Sequence, residues 1–64
     1  MRLYGNDGCS DCIIMKMLLK KNNIRYDWID VSTIAGFEGD IPLFELNDGS
    51  TITGIGGIRK ALSI

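Results

Sequence analysis

Two cysteines separated by two residues constrain this chain more than any other feature of its sequence. Cys9 and Cys12 stand where a short apolar run, residues 2–4, meets a segment with helical patterning. The turn-forming residues Asn6, Asp7 and Gly8 lie between the run and the cysteines. This order predicts a strand, a tight turn and then a helix whose first turn carries both cysteines.

Hydrophobic periodicity predicts a strand–helix–strand unit in the first half of the chain. Residues 2–4 favour a strand, and residues 10–22 favour a helix in which only Lys16 and Lys20 interrupt a long apolar run. Because apolar residues cover most of the remaining circumference, we expect this helix to be well buried. Residues 24–31 alternate and predict a second strand, so the unit implies two parallel strands and a right-handed crossover.

The second half of the chain predicts a hairpin and a short final helix. Residues 32–40 contain two glycines and have room for at most about two helical turns. Strands are predicted at residues 43–46 and 51–53, joined antiparallel through the turn at residues 47–50. A glycine-rich junction at residues 54–57 precedes a helix predicted over residues 58–62. With 64 residues, the chain is predicted to form one domain, 1–64.

Composition excludes several classes of function. Seven basic and eight acidic residues give a net charge of −1, which does not favour nucleic-acid binding. No apolar run is long enough to cross a bilayer and no signal-peptide region begins the chain, so we expect a cytoplasmic protein without a membrane partner. The absence of histidine excludes Ser-His and Cys-His catalytic pairs and histidine-containing zinc sites.

The cysteine spacing favours thiol–disulfide chemistry. In a reducing cytosol such a pair is more often catalytic or metal-binding than a permanent cross-link. The unpaired N–H groups and the dipole of a helix start favour a thiolate, so Cys9 is predicted to attack and Cys12 to resolve the product. Asp7 and Asp11 oppose thiolate formation, whereas Lys16 and Lys20 share the helix face of Cys9 and favour it.

Other interpretations of the same residues stay open at this point. The cysteines also suit half of a zinc site completed by a second copy of the chain, or two buried and inert thiols. Pro42 suits the first position of a strand, and a cis Ile41–Pro42 bond is the functional alternative. The glycines at 54, 56 and 57 suit tight turns, and their functional alternative is a helix start open to a carboxylate.

The chain resembles the glutaredoxins, small members of the thioredoxin-like superfamily, over nearly its whole length. A tyrosine stands five residues before the first cysteine, and a lysine follows the cysteine pair in the helix. The other similar features are a second strand ending in Ile-Asp-Val, an Ile-Pro step before a strand, and a Gly-Gly pair before the last helix. The residues that carry the resemblance are Tyr4, Cys9, Cys12, Lys16, Ile29, Asp30, Val31, Ile41, Pro42, Leu43, Phe44, Gly56 and Gly57.

This resemblance implies a thioredoxin-like α/β fold of the glutaredoxin type. The expected architecture is a minimal four-stranded mixed sheet in the order second, first, third, fourth, flanked by helices, with the second helix shortened or absent. The resemblance also implies a cis Pro42 beside the cysteines and an Ile41 backbone that pairs with glutathione or an extended peptide. Backbone N–H groups near Gly57 and Ile58 would then receive a carboxylate of glutathione.

Departures from the family pattern widen the choice of redox partner. Ser10 and Asp11 replace the family's proline and tyrosine, and Ile58 and Arg59 stand where acidic residues commonly hold the amine of glutathione. We therefore expect a monomeric oxidoreductase that reduces glutathione mixed disulfides or protein disulfides. Its reductant would be glutathione or a thioredoxin-reductase-like flavoenzyme, with no tightly bound cofactor. The alternatives are a glutaredoxin-like module that binds metal or an iron–sulfur cluster, and a non-catalytic binding domain.

Overall fold

The computed structural model describes all residues, 1–64, and contains one four-stranded mixed sheet. The strands lie in the order β2-β1-β3-β4, which confirms the predicted order. β2 runs parallel to β1, whereas β3 is antiparallel to both β1 and β4. In chain order the elements are β1 (Arg2–Gly5), α1 (Ser10–Lys21), β2 (Asp27–Asp30), a 3₁₀ turn (Val31–Thr33), β3 (Leu43–Glu45), β4 (Thr51–Thr53) and α2 (Ile55–Leu62).

Helix α1 begins and ends at residues that satisfy its free backbone groups. Cys9 is the N-cap, with extended backbone angles, and its side chain accepts a hydrogen bond from the first turn. At the other end, the Asn22 side chain donates to the Leu18 carbonyl, and Asn23 adopts a positive φ of 56° that stops the helix. Local capping residues therefore account for both predicted boundaries.

Strand β2 is shorter than predicted. The alternating pattern favoured a strand over residues 24–31, but only Asp27–Asp30 pairs with β1. The N–H of Ile24 still bonds to the Leu19 carbonyl at the end of α1, and Asp30 caps the 3₁₀ turn by accepting from Ser32 N–H. Because β1 offers only four residues for pairing, the flanking residues of the pattern find no ladder partner.

The segment between β2 and β3 holds no second α-helix, as the sequence predicts. Only the 3₁₀ turn Val31–Thr33 is helical, and residues 34–42 run as turns and bends. Within this segment the Phe37 ring stacks on Tyr4, with centroids 6.4 Å apart and planes 15° from parallel. This stacked pair anchors the segment against β1.

Both helices pack on the same face of the sheet, so the expectation that helices flank the sheet needs correction. Leu3 and Phe44 are cross-strand neighbours on that face, and both are fully buried. Met15 and Leu19 of α1 and Ile58 of α2 complete the same buried cluster. The segment that would carry a helix on the other face is too short to form one, which leaves two layers.

Helix α1 is also less buried than the sequence predicts. Only Cys12, Met15 and Leu19 are buried, whereas three other apolar residues are exposed: Ile13 by 47%, Ile14 by 44% and Met17 by 67%. A helix lying on a sheet buries one stripe, and a two-layer fold offers nothing to cover the opposite stripe.

Helix α2 begins three residues earlier than predicted. It spans Ile55–Leu62, so Gly56 and Gly57 form its first turn rather than a junction. Gly54 is the N-cap and uses a positive φ of 82°, a conformation that favours glycine. Neither helix of the structure is long and apolar enough to span a bilayer.

Candidate functional site

The topology gathers the predicted site residues at one end of the sheet. β1 ends at Gly5, four residues before the N-cap of α1, and β4, which runs in the same direction, ends one residue before the N-cap of α2. Antiparallel β3 begins at that end, directly after Pro42. Both helix starts and the Ile41–Pro42 step therefore lie along one edge of the molecule.

Cys9 sits at the opening of α1 in a half-exposed position. Its sulfur accepts a hydrogen bond from the Cys12 N–H, with a nitrogen–sulfur distance of 3.1 Å. The turn before it is held by Gly8 N–H donating to the Asn6 side chain and Cys9 N–H donating to the Asn6 carbonyl. The helix start thus directs a backbone donor at a sulfur that an incoming molecule can reach.

Cys12 is buried, in contrast to the half-exposed Cys9. It has no exposed surface, and both thiols are free. Burial, and then a hydrogen bond with Cys9, raises the pKa of Cys12 to about 11, while the Asn6 backbone lowers it by a smaller amount. At neutral pH Cys12 is therefore a protonated thiol, so the pair has one exposed and one sheltered member.

The raised pKa of Cys12 makes the stability of the reduced protein depend on alkaline pH. In the unfolded chain this thiol ionises near its ordinary value of 9.0, but in the folded chain it stays protonated until about pH 11. Unfolding therefore releases a proton between these values, and we expect the free energy of unfolding to fall as pH rises from about 9 to 11. Anaerobic denaturant titrations with a thiol reductant measure this slope.

A Cys12→Ala variant is the control for this prediction. Burial also raises the pKa of Tyr26, which contributes a slope of the same sign in both proteins. The difference between the two slopes isolates the contribution of Cys12. Equal slopes in the wild type and Cys12→Ala would show that the thiol of Cys12 does not resist ionisation in the folded state.

Pro42 lies opposite Gly5, the residue that ends β1 before the cysteine pair. The register of β1 and β3 pairs Tyr4 with Leu43, and its continuation by one residue sets Pro42 opposite Gly5. The Ile41–Pro42 peptide bond is cis, and the Pro42 carbonyl accepts from Gly54 N–H at 2.9 Å. Pro42 is thereby tied to the start of α2.

The backbone of Ile41 is unpaired just before β3. Ile41 is half-buried and lies outside β3. Neither its N–H nor its carbonyl makes a hydrogen bond within the chain. Backbone groups left unpaired at a sheet margin are the means by which extended peptides add to a sheet.

The resemblance implied that backbone N–H groups near Gly57 and Ile58 are free to receive a carboxylate, and the structure leaves only some of these groups free. Ile58 is fully buried, and its N–H donates to the Gly54 carbonyl at 3.1 Å. The donors left without an intrahelical acceptor are those of the preceding residues, including Gly57. A Cβ at Gly57 would lie 2.9 Å from the Ile52 Cγ2 atom, so close packing on β4 also explains this glycine.

Lys16 does not remain free beside Cys9. Its Nζ lies over the Trp28 ring, 4.1 Å from the centroid, a separation at which a cation and a ring attract. The Trp28 side chain in turn reaches the packing around Cys12. The partner of Lys16 in the structure is therefore the Trp28 ring, which neither the solvated lysine nor the thiolate neighbour considered from the sequence anticipates.

Gly5 is a site residue that sequence reasoning missed. A Cβ added at Gly5 would lie 2.6 Å from the Cys12 sulfur and 3.0 Å from both the Cys12 Cβ and the Trp28 Cη2 atom. The absence of a side chain at Gly5 thus creates the space that Cys12 fills. The only sequence signal was a glycine at the end of a strand, which also suits an ordinary strand stop.

The cysteine end of the molecule is a surface without an enclosed cavity. The two concave regions, of about 680 and 300 Å³, both adjoin Met1 and Asp27, at the opposite end of β1. No group of three or more Cys, Asp or Glu side chains is placed to bind a metal ion. The alternatives of a zinc site or an iron–sulfur cluster shared with a second copy of the chain stay predictions.

Comparisons with known proteins identify no relative of this chain. No family model matches the sequence, and neither a curated protein nor a solved structure gives a significant match.

Proposed function

We propose that this protein is a thiol–disulfide oxidoreductase in which Cys9 is the nucleophile and Cys12 the resolving thiol. The observation that carries the proposal is the contrast between the two sulfurs. Cys9 is half-exposed at a helix start and accepts a backbone N–H, whereas Cys12 is buried and its raised pKa keeps it protonated. Stepwise disulfide exchange requires one attacking thiolate and one thiol held in reserve.

In the first step the Cys9 thiolate attacks one sulfur of a substrate disulfide. A bond forms between Cys9 and that sulfur, the substrate disulfide breaks, and the other sulfur leaves as a thiolate that takes a proton from water. The unpaired N–H and carbonyl of Ile41 support an orienting role, because an extended substrate segment can pair with them. Pro42 holds this segment beside the cysteines.

In the second step Cys12 attacks the sulfur of Cys9. Its proton passes to the departing substrate sulfur, the mixed disulfide breaks, and a Cys9–Cys12 disulfide forms. The cysteine pair has then given two electrons to the substrate, and of the two protons that the substrate gains, one came from water and one from Cys12. The first turn of α1 suits this step, because the Cys9 sulfur already contacts the backbone nitrogen of Cys12.

A reductant must return two electrons to the Cys9–Cys12 disulfide. Glutathione and a thioredoxin-reductase-like flavoenzyme are the two candidates. The free donors at the start of α2, among them Gly57 N–H, support glutathione through its carboxylate. The end of the molecule that carries the cysteines has no cavity for a small molecule, which supports a protein reductant, the flavoenzyme. Turnover with glutathione and, separately, with the flavoenzyme and NADPH distinguishes them.

Replacing Cys12 by serine is expected to trap the reaction at the mixed disulfide. Without the second thiol, Cys9 attacks once and stays joined to the substrate, because no internal sulfur displaces it. Mass spectrometry of the intact protein after incubation with glutathione disulfide should show one added glutathione, released by dithiothreitol. A peptide map should place the adduct on Cys9.

The wild type is the matched control, since it should accumulate the intramolecular disulfide instead of the adduct. An adduct found on the buried thiol in a Cys9→Ser protein, and none in Cys12→Ser, would reverse the proposed roles. The absence of any adduct in either protein would contradict the proposed function and favour a non-catalytic binding domain.

A further inference from the structure

The outward stripe of α1 carries three exposed apolar side chains next to Cys9. Ile13 stands one turn after Cys9, and Met17 stands one turn after Ile13. Ile14 lies beside Met17 on the same side of the helix. Their exposed fractions are 47% for Ile13, 44% for Ile14 and 67% for Met17, and they are the large apolar residues that the fold leaves exposed. We call these three residues the α1 stripe.

Helix stability does not explain the α1 stripe. β-branched isoleucine has a lower helix propensity than lysine, glutamate or glutamine, any of which would also be better solvated at an exposed position. The stripe makes no contribution to the core, which the opposite side of α1 supplies through Met15 and Leu19. A contiguous apolar surface beside a reactive group is a typical feature of an interaction site.

Most of the charged residues of α1 are basic. α1 contains Lys16, Lys20 and Lys21 but only one acidic residue, Asp11, in its first turn. Lys20 and Lys21 are exposed, and no ion pair in the chain involves them, because the single ion pair joins Arg2 and Glu45. A chain of net charge −1 thus places unpaired positive charge at the end of the stripe.

The size of the α1 stripe favours a transient partner over a stable dimer. Stable interfaces use about 20–30 residues on each side, whereas transient redox encounters are smaller. α1 has 12 residues in all, and three of them are buried. A surface of this size suits a protein that docks, exchanges electrons and leaves.

We propose that the α1 stripe is the docking surface for a protein disulfide partner whose contact surface is apolar and acidic. This inference rests on the proposed function and specifies its substrate class: a protein segment that lies along α1 while its disulfide reaches Cys9. Apolar contact gives affinity, and the unpaired Lys20 and Lys21 select acidic neighbours. Glutathione is too small to reach Met17 while bonded to Cys9, so the stripe favours protein over glutathione.

Synthetic peptides with an activated cysteine test this docking surface. Each peptide carries one cysteine as a 2-thiopyridyl disulfide, whose release is followed by absorbance. One peptide places leucine and glutamate at helical spacing beside the cysteine, and a second places lysine at the glutamate positions. Glutathione activated in the same way supplies identical chemistry without docking. We expect the wild type to react about 10-fold faster with the acidic peptide, equivalent to about 1.4 kcal/mol.

Two pairs of variants locate the effect. Ile14→Gln with Met17→Gln should remove most of the preference, and glutamine preserves the helix because its propensity is at least equal. Lys20→Gln with Lys21→Gln should reduce the preference for the acidic peptide and its dependence on salt. Ala61→Gln and Lys60→Gln are the matched controls on exposed positions of α2 and should change neither. Rates with activated glutathione should be equal in the wild type, in Ile14→Gln with Met17→Gln and in the α2 controls, and each peptide rate of Lys20→Gln with Lys21→Gln is divided by that protein's own rate with activated glutathione.

Each contrary result has a separate meaning. Normal reaction with activated glutathione but no peptide preference would overturn the docking surface and leave the proposed function intact. No reaction at Cys9 with any reagent would overturn both. Sedimentation should show a monomer; a wild-type dimer that Ile14→Gln with Met17→Gln dissociates would assign the stripe to a second copy of the chain and overturn the proposal.

Discussion

Replacing Cys9 by serine is expected to abolish disulfide reduction. A serine hydroxyl is a weak nucleophile without a neighbouring base, and this chain contains no histidine to supply one. Cys12 cannot substitute, because burial keeps it from the substrate and raises its pKa to about 11. We expect turnover of glutathione disulfide to fall by at least about 10³-fold, the scale on which removal of an essential nucleophile acts.

The same variant should fold normally, which separates lost chemistry from lost structure. Serine is among the preferred N-cap residues, and its oxygen can accept the Cys12 N–H that the Cys9 sulfur accepts now. Denaturant titration should give a free energy of unfolding equal to or above that of the reduced wild type. Full turnover by a folded Cys9→Ser protein would refute the assignment of Cys9 as the nucleophile.

Among substitutions that add one methyl group near the site, Gly5→Ala is expected to lower the free energy of unfolding most. The new Cβ would lie 2.6 Å from the Cys12 sulfur and 3.0 Å from the Cys12 Cβ. The Cβ cannot move away unless the start of α1 moves with it. Overpacking of this kind lowers the free energy of unfolding by about 1–3 kcal/mol. In a small domain, each kcal/mol lowers Tm by about 4–8 °C.

Gly8→Ala is the matched control for Gly5→Ala. Gly8 is exposed in the turn before Cys9, and an added Cβ would meet only the Asn6 side chain, at 3.4 Å. We expect a change within about 0.5 kcal/mol, typical of surface substitutions. If Gly5→Ala were as mild as Gly8→Ala in thermal unfolding, the close contact between β1 and Cys12 would be disproved.

A double-mutant cycle tests the contact more directly. In a Cys12→Ala background the sulfur is absent, so Gly5→Ala should cost less than it does in the wild type. The Cβ of residue 12 remains, and the relief should therefore be partial. Additive effects of the two substitutions would show that Gly5 does not contact the thiol.

Much of the local structure could be predicted because neighbouring residues determine it. The turn residues at 47–50 specify a hairpin, and β4 occupies the predicted residues 51–53. The boundaries of α1 follow from Cys9 and Asn22, which satisfy backbone groups within one turn of themselves. The order of the strands agrees with the order that the resemblance to the glutaredoxins implies, whereas one crossover and one hairpin alone leave open which strands of the two units pair.

Burial could not be predicted from periodicity in the same way. The apolar residues of α1 indicate a helix whichever side faces the sheet, and both Ile13 and Ile14 looked suitable for a core. The sheet buries only the stripe of Cys12, Met15 and Leu19, because a helix packed on a sheet turns one side toward it and no further layer lies outside α1. The length of β2 depended equally on its neighbour, since β1 offers four residues to pair with.

The sequence by itself determined that Cys9 and Cys12 share the first turn of a helix, because two intervening residues and a preceding turn leave little other local geometry. Only the tertiary structure decided that Cys12 is buried against Gly5, that Pro42 lies opposite Gly5, and that Ile13, Ile14 and Met17 face outward. The physical reason is the range of the forces involved. Caps and turns act within a few residues, whereas burial depends on which distant segments pack against each other.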